Sequence, residues 1–157
     1  NDVIRPKLLV LLATPFQFIA NKNIKCGLQN DVVKNFRDNY QSNPTKTLKR
    51  FTSLIAKNDS NAKNILTNLE ISKNYTPNWL YWLDELARFT CDKIDFSKVP
   101  TTLLIHGRND SLVDVTQSGV FIPFIEECTV EIIENCGHAP HLHDEKKVRN
   151  IINEFLC

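Results

Sequence analysis

The sequence lacks any apolar run near the roughly 20 residues that a bilayer-spanning helix needs. Its longest, LLVLLA at positions 8–13, has only the length of a strand. It lacks a charge of one sign: 19 basic against 18 acidic side chains leave a formal net charge of +1, which removes the electrostatic case for nucleic acid or an anionic membrane as partner. It lacks paired thiols. Five cysteines (Cys26, Cys91, Cys128, Cys136, Cys157) are scattered with no CxxC among them, which argues for reduced thiols in a cytoplasmic protein. It has only four glycines, no internal repeat and no low-complexity linker, and the opening NDVIRPK does not read as a signal peptide.

What is present is an ordinary globular balance, 42% hydrophobic and 24% charged, over 157 residues, the size of one domain or a large piece of one. KLLVLLATP reads as a buried parallel strand stopped by Pro15. A helical block follows from about Asn30 to Lys73. Its first helix carries Val32, Val33, Phe36 and Tyr40 at helical spacing. The second is capped by Ser42 or Asn43 ahead of Pro44, with Leu48, Phe51, Thr52 and Ile55 on its face. The third starts at Ser60 with Ala62, Ile65, Leu66 and Leu69. A fourth helix starts at Thr76 and Pro77 and presents Trp79, Trp82 or Leu83, Leu86 and Thr90. Then VPTTLLIHG reads as a strand, DVTQSGVFIPFIEE as an irregular helix weakened by Gly119 and Pro123, and TVEIIEN as a β-branched strand. DEKKVRNIINEFL reads as a closing helix capped by Asp144, with Val148, Ile151, Ile152 and Phe155 inward. The order strand, four helices, strand, helix, strand, helix predicts an α/β fold: a thin parallel sheet with a helical lid inserted over the strand ends.

Reactive groups on such sheets gather beyond the carboxyl ends of the strands. Two of those ends carry GRNDSLVD and NCGHAPH, so an acid (Asp110) and an imidazole (His138), 28 positions apart, are expected on adjacent loops. Asp110 then accepts the Nδ1 proton of His138, fixes its tautomer and stabilises the imidazolium. Asp114 is the rival acid, but its position suits a helix cap. A zinc site from Cys136, His138, His141 and His143 is disfavoured because all four crowd one tight loop containing Pro140, leaving His141 and His143 as loop residues near the site mouth. No metal and no cofactor are expected.

PTTLLIHGRNDSLV followed by VEIIENCGHAPHLHDEKKVRNIINEFL resembles the C-terminal end of α/β-hydrolases, whose G-x-x-D-x-x-V holds the triad acid and whose G/A-H-x-P holds the triad histidine. LLVLLATPFQF and NDVVKNFRDNYQSNPTKTLKRFTSLI resemble one branch, the carboxylesterases that cleave the methyl ester of pimeloyl-acyl-carrier protein in biotin synthesis. That resemblance implies catalytic roles for Asp110 and His138. It implies acyl contact by His138 and by the lid segment Phe51, Thr52, Ser53, Leu54 and Ile55, and contact with an acidic acyl-carrier protein by Lys46, Arg50 and Lys63. Thr67 stands where a fourth basic residue would be. It also implies a division into a strand segment (1–15), a lid (16–75) and a C-terminal core half (76–157).

The family's nucleophile sits in a G-x-S-x-G turn, and here no two glycines bracket a serine. The triad serine precedes the acid and the histidine in chain order. The expectation is therefore the C-terminal part of a longer esterase, inactive alone and needing its N-terminal half. Two other readings stay open: another lidded short-chain esterase, and a non-catalytic binding module of the same fold.

Overall fold

A computed structural model describes residues 6–69 and 78–156. In chain order the elements are β1 (Leu8–Leu12), α1 (Asn30–Ser42), α2 (Pro44–Ile55), α3 (Ala62–Asn68), α4 (Asn78–Arg88), β2 (Thr101–Gly107), α5 (Thr116–Val120), β3 (Cys128–Ile133), α6 (Pro140–His143) and α7 (Glu145–Leu156), with two short 3₁₀ turns between α4 and β2. The three strands form one parallel sheet in the order β1-β2-β3, with Leu12 opposite Ile105 and Gly107 opposite Ile133. Every carboxyl end therefore faces the same edge. Among the described residues no helix is long and apolar enough to cross a membrane.

Alternation along β2 builds the two faces of the core. Leu103 and Ile105 point one way, into Ile133, Cys136 and Val148, with Ile151, Ile152 and Phe155 of α7 closing over them. Leu104 points the other way, into Phe16, Cys91, Phe121 and Ile125. Fully burying each of these β2 side chains is worth about 1.5–3 kcal/mol, so the central strand fixes the layer. Two buried glutamines cross-link the second face: Gln17 N–H donates to Gln117 Oε1 (3.0 Å), Gln17 Nε2 to Phe89 O (2.9 Å) and Gln117 Nε2 to Cys26 O (2.9 Å).

The helical block assembles as expected, with local differences. Asn43, not Ser42, caps α2: its Oδ1 accepts from Lys46 N–H at 3.0 Å, and Pro44 occupies the first turn. The third helix begins at Ala62 rather than Ser60. Ser60 and Asn61 form a turn ahead of it, with Ser60 N–H donating to Asn135 O (2.9 Å) and Asn61 N–H to Asp59 Oδ1 (2.7 Å). The proposed cap Thr76 and Pro77 lie outside the described residues. α4, counted with the C-terminal half in the division above, packs on α1: Arg37 forks onto both oxygens of Asp84 (2.9 and 3.2 Å), and Tyr40 stacks on Trp79. α5 is one short turn and a half, ending where Gly119 and Pro123 weakened the pattern. α6, one turn begun by Pro140 two residues after His138, is an element that the periodicity did not reveal.

Candidate active site

The acid loop follows β2. Asp110 turns its side chain back under its own loop, where Oδ1 accepts the N–H groups of Leu112 (2.8 Å) and Val113 (3.0 Å). The second oxygen, Oδ2, meets two imidazoles: His138 Nδ1 at 2.8 Å and His106 Nε2 at 3.1 Å. The carboxylate is wholly shielded from solvent, while the His138 side chain is 25% exposed. Burial pushes the Asp110 pKa up. The hydrogen bonds from His106 and His138, the charge of His138 and the Val113 amide outweigh that and hold the carboxyl far below the ordinary carboxylate range. Asp110 is thus a committed anion and acceptor. Nδ1 of His138 must donate to it, which leaves Nε2 as the basic nitrogen of the neutral ring.

The geometry depends on close backbone approach. A Cβ on Gly107 would fall 2.0 Å from Gly137 O, and one on Gly137 would lie 3.1 Å from Ile55 O. Glycine at both positions lets the end of β2, the histidine loop and the lid turn meet. Asn109 N–H donates to Cys136 O (2.8 Å) and Arg108 N–H to Ile133 O (2.9 Å), tying the acid loop to the histidine loop.

Asp114 lies just ahead of α5, whose N-cap is Val115 rather than Asp114; its Oδ1 accepts from Thr116 N–H at 2.9 Å and from Thr116 Oγ1–H at 2.6 Å. His141 lines a cleft of about 250 Å³ with Leu12, Val148 and Ile152, where burial and then the nearby His138 push its pKa down. His143 does not line the site mouth. It turns inward, and its Nδ1 donates to buried Asp59 Oδ1 at 2.8 Å. The loop quartet considered for zinc is not the group that assembles. Among the described residues the cluster with metal-ligand character is Asp59, Cys136 and His143. Its atoms are already engaged: the carboxylate accepts three N–H bonds, and burial followed by the neighbouring Asp59 charge pushes the Cys136 thiol up to about 12.

In the lid, Ile55 O accepts the backbone N–H of His138 (3.3 Å), so the turn ending α2 touches the histidine loop directly. Phe51 packs edge-on against Phe36, Thr52 is half-buried with its hydroxyl on Leu48 O, and Ser53 and Leu54 are exposed. Lys46 and Arg50 are exposed one helical turn apart on α2, and Lys63 is exposed on α3.

Two contributors escaped the sequence reading. His106 looks like one more inward residue of β2, and Asp59 like a loop acid. Neither has a local motif, since Asp59 lies 84 positions from His143 and 78 from Gly137. His106 is buried, and its Nε2 donates between Asp110 Oδ2 and Val113 O (3.0 Å), bracing the acid from behind.

No protein-family model matches the sequence. The chain is 27% identical, over 94% of its length, to the biotin biosynthesis bifunctional protein BioHC of Teredinibacter turnerae. It is 32% identical, over 59% of its length, to human monoacylglycerol lipase ABHD6. It is 25% identical, over 88%, to the pimeloyl-[acyl-carrier protein] methyl ester esterase of Nitrosomonas europaea. It spans 28% of each of the first two relatives and 57% of the third. Among solved structures, an esterase from Exiguobacterium antarcticum superimposes with a TM-score of 0.68 at 16% identity, over 95% of this chain and 56% of that one. A bromoperoxidase from Bacillus anthracis does so with a TM-score of 0.68 at 16% identity, over 96% and 58%. The fold is that of the C-terminal portion of an α/β-hydrolase, with an acid and a histidine on consecutive strand ends. The curated relatives and the structural neighbours together indicate an α/β-hydrolase superfamily member.

Proposed function

We propose that this chain supplies the acid, the histidine and the lid of a serine carboxylesterase whose substrate is the methyl ester of pimeloyl-acyl-carrier protein. The observation that carries the esterase reading is the 2.8 Å contact between buried, ionised Asp110 and His138 Nδ1. The nucleophilic serine comes from residues outside this sequence. His138 Nε2 takes the serine proton as the oxygen attacks the ester carbonyl. The same proton goes to the departing methoxide, so methanol leaves and an acyl-serine remains. His138 then deprotonates water, which attacks the acyl-serine. The proton returns to the serine oxygen, giving the free carboxylic acid and restored enzyme. Asp110 stays ionised throughout and balances the imidazolium.

The substrate assignment draws support from the biotin biosynthesis relative, from the pimeloyl-[acyl-carrier protein] methyl ester esterase relative, and from the exposed cationic groups of Lys46, Arg50 and Lys63, which suit an acidic carrier protein. The Phe51–Ile55 segment ends on the histidine loop, where an acyl chain would run. A second reading, hydrolysis of a monoacylglycerol or a short generic ester, draws support from the lipase relative. Assaying the full-length protein against methyl pimeloyl-carrier protein, a monoacylglycerol and p-nitrophenyl acetate separates the readings. The proposal expects the carrier-bound methyl ester to give the highest kcat/KM. Cleavage of the other two alone overturns the biotin assignment, and cleavage of none overturns the esterase.

A further inference from the structure

We propose that Asp59, in the turn joining α2 to α3, is a positioning residue that sets the histidine loop from the lid side; this rests on the reading of His138 as the base. Three donors converge on its buried carboxylate. Oδ2 accepts Gly137 N–H at 2.6 Å, and Oδ1 accepts Asn61 N–H at 2.7 Å and His143 Nδ1–H at 2.8 Å. Gly137 immediately precedes His138, and His143 closes the helical turn that follows it. One lid carboxylate therefore grips the histidine loop on both sides of the imidazole.

The surrounding bonds fasten the α2–α3 turn to the core around that grip. His138 N–H donates to Ile55 O, Ser60 N–H to Asn135 O, and Asn61 Nδ2 to His143 O at 2.8 Å. The same turn reaches the acid loop: Asn109 Nδ2 donates to Asn58 O (3.2 Å) and Asn58 Nδ2 to Ser111 Oγ (3.0 Å). Asn58 holds a left-handed backbone (φ 63°) to present both groups. The Asp110–His138 distance depends on the relative placement of two loops from separate strands, and the α2–α3 turn is the piece bonded to both.

The chemistry requires a carboxylate. Three N–H donors need acceptors in a site closed to water, and a carboxylate offers two oxygens with room for all three. An amide of the same shape offers one. Whichever way an asparagine is flipped, its NH₂ faces at least one of the three donors, and the loop must shift to relieve it. A shift of about 1 Å at a reacting group can cost up to about 100-fold in rate.

The test uses the full-length protein as wild type, Asp59→Asn and Asn61→Ala. The Nδ1 proton of His138 is followed by NMR, assigned through its loss in His138→Gln, beside kcat, KM and Tm. Asp59→Asn is expected to shift or broaden the Nδ1 signal and to lower kcat about 10- to 100-fold with KM within about twofold. Asn61→Ala weakens the same junction but keeps the Asp59–Gly137 bond, so it should lower Tm with kcat retained. An unchanged signal and kcat in folded Asp59→Asn overturn the proposal, as does an equal kcat loss in Asn61→Ala. Should Asp59→Asn not fold, hydrogen exchange at the wild-type Gly137 amide decides: strong protection is expected, and free exchange overturns it. A wild type without esterase activity refutes the proposed function, and the NMR arm still judges Asp59.

Discussion

At the scale of the residue, Asp110 bears four hydrogen bonds on two oxygens in a site closed to water. That load makes it an anion by construction, and it dictates which nitrogen of His138 is free for chemistry. Asp110→Asn keeps the volume but places an NH₂ against two ring N–H groups, favouring the wrong tautomer of His138. By analogy with the serine-protease triad, kcat should fall by about 10⁴ while the protein stays folded, as measured by initial rates beside circular dichroism. His106→Phe removes the donor behind Asp110 without touching His138, so its kcat loss should be smaller. Asp110 and His138 were legible in the sequence because each sits in a short turn directly after a strand, where position implies direction. His106 and Asp59 were not, because their partners come from tertiary contacts that no local spacing encodes.

At the scale of the element, the lid stands on the core through few but specific contacts. Ile65 of α3, fully buried against Ala56 and Ala139, is its apolar foot. Ile65→Ala should cost about 2–5 kcal/mol, read by urea unfolding, and should speed hydrogen exchange in α3 before the sheet is affected. Asn43→Ala removes the α2 cap and should cost about 1 kcal/mol. The helices α1, α2 and α7 were legible from their periodic faces, and α2 also from the Asn-Pro start. α3 begins later than its pattern, after a turn held by bonds to Asn135 and Asp59. α6 was invisible because four residues are too few for a period to show. His143, expected at the mouth, turns inward because that short helical turn carries it toward Asp59.

At the scale of the whole molecule, one sheet sets the site: three parallel strands deliver their carboxyl ends to a common edge, and the helical block lies across it. Stability should respond to pH from both sides. The folded pKa of Asp110 is depressed, so its contribution is present above the unfolded value of about 3.9 and is lost as pH falls below it. His141 is held below its ordinary value when folded, so the unfolded chain takes up its proton first and stability already declines below about pH 6.5. Cys136 works at the other end. Its folded pKa of about 12 lies above the ordinary thiol value, so the unfolded chain ionises first and stability falls as pH rises past about 8.5. Thermal melts from pH 3 to 11 should show a plateau between these limits, and Cys136→Ala should flatten the alkaline decline.

The central claim, that Asp110-oriented His138 activates a serine, is tested most directly by covalent labelling of the full-length protein with a fluorophosphonate. The account predicts a single adduct on a serine upstream of Asn1 in wild type, and at least a hundredfold slower labelling, on the order of a lost general base, in His138→Ala. No adduct in wild type, or equal labelling rates in the two proteins, would contradict it.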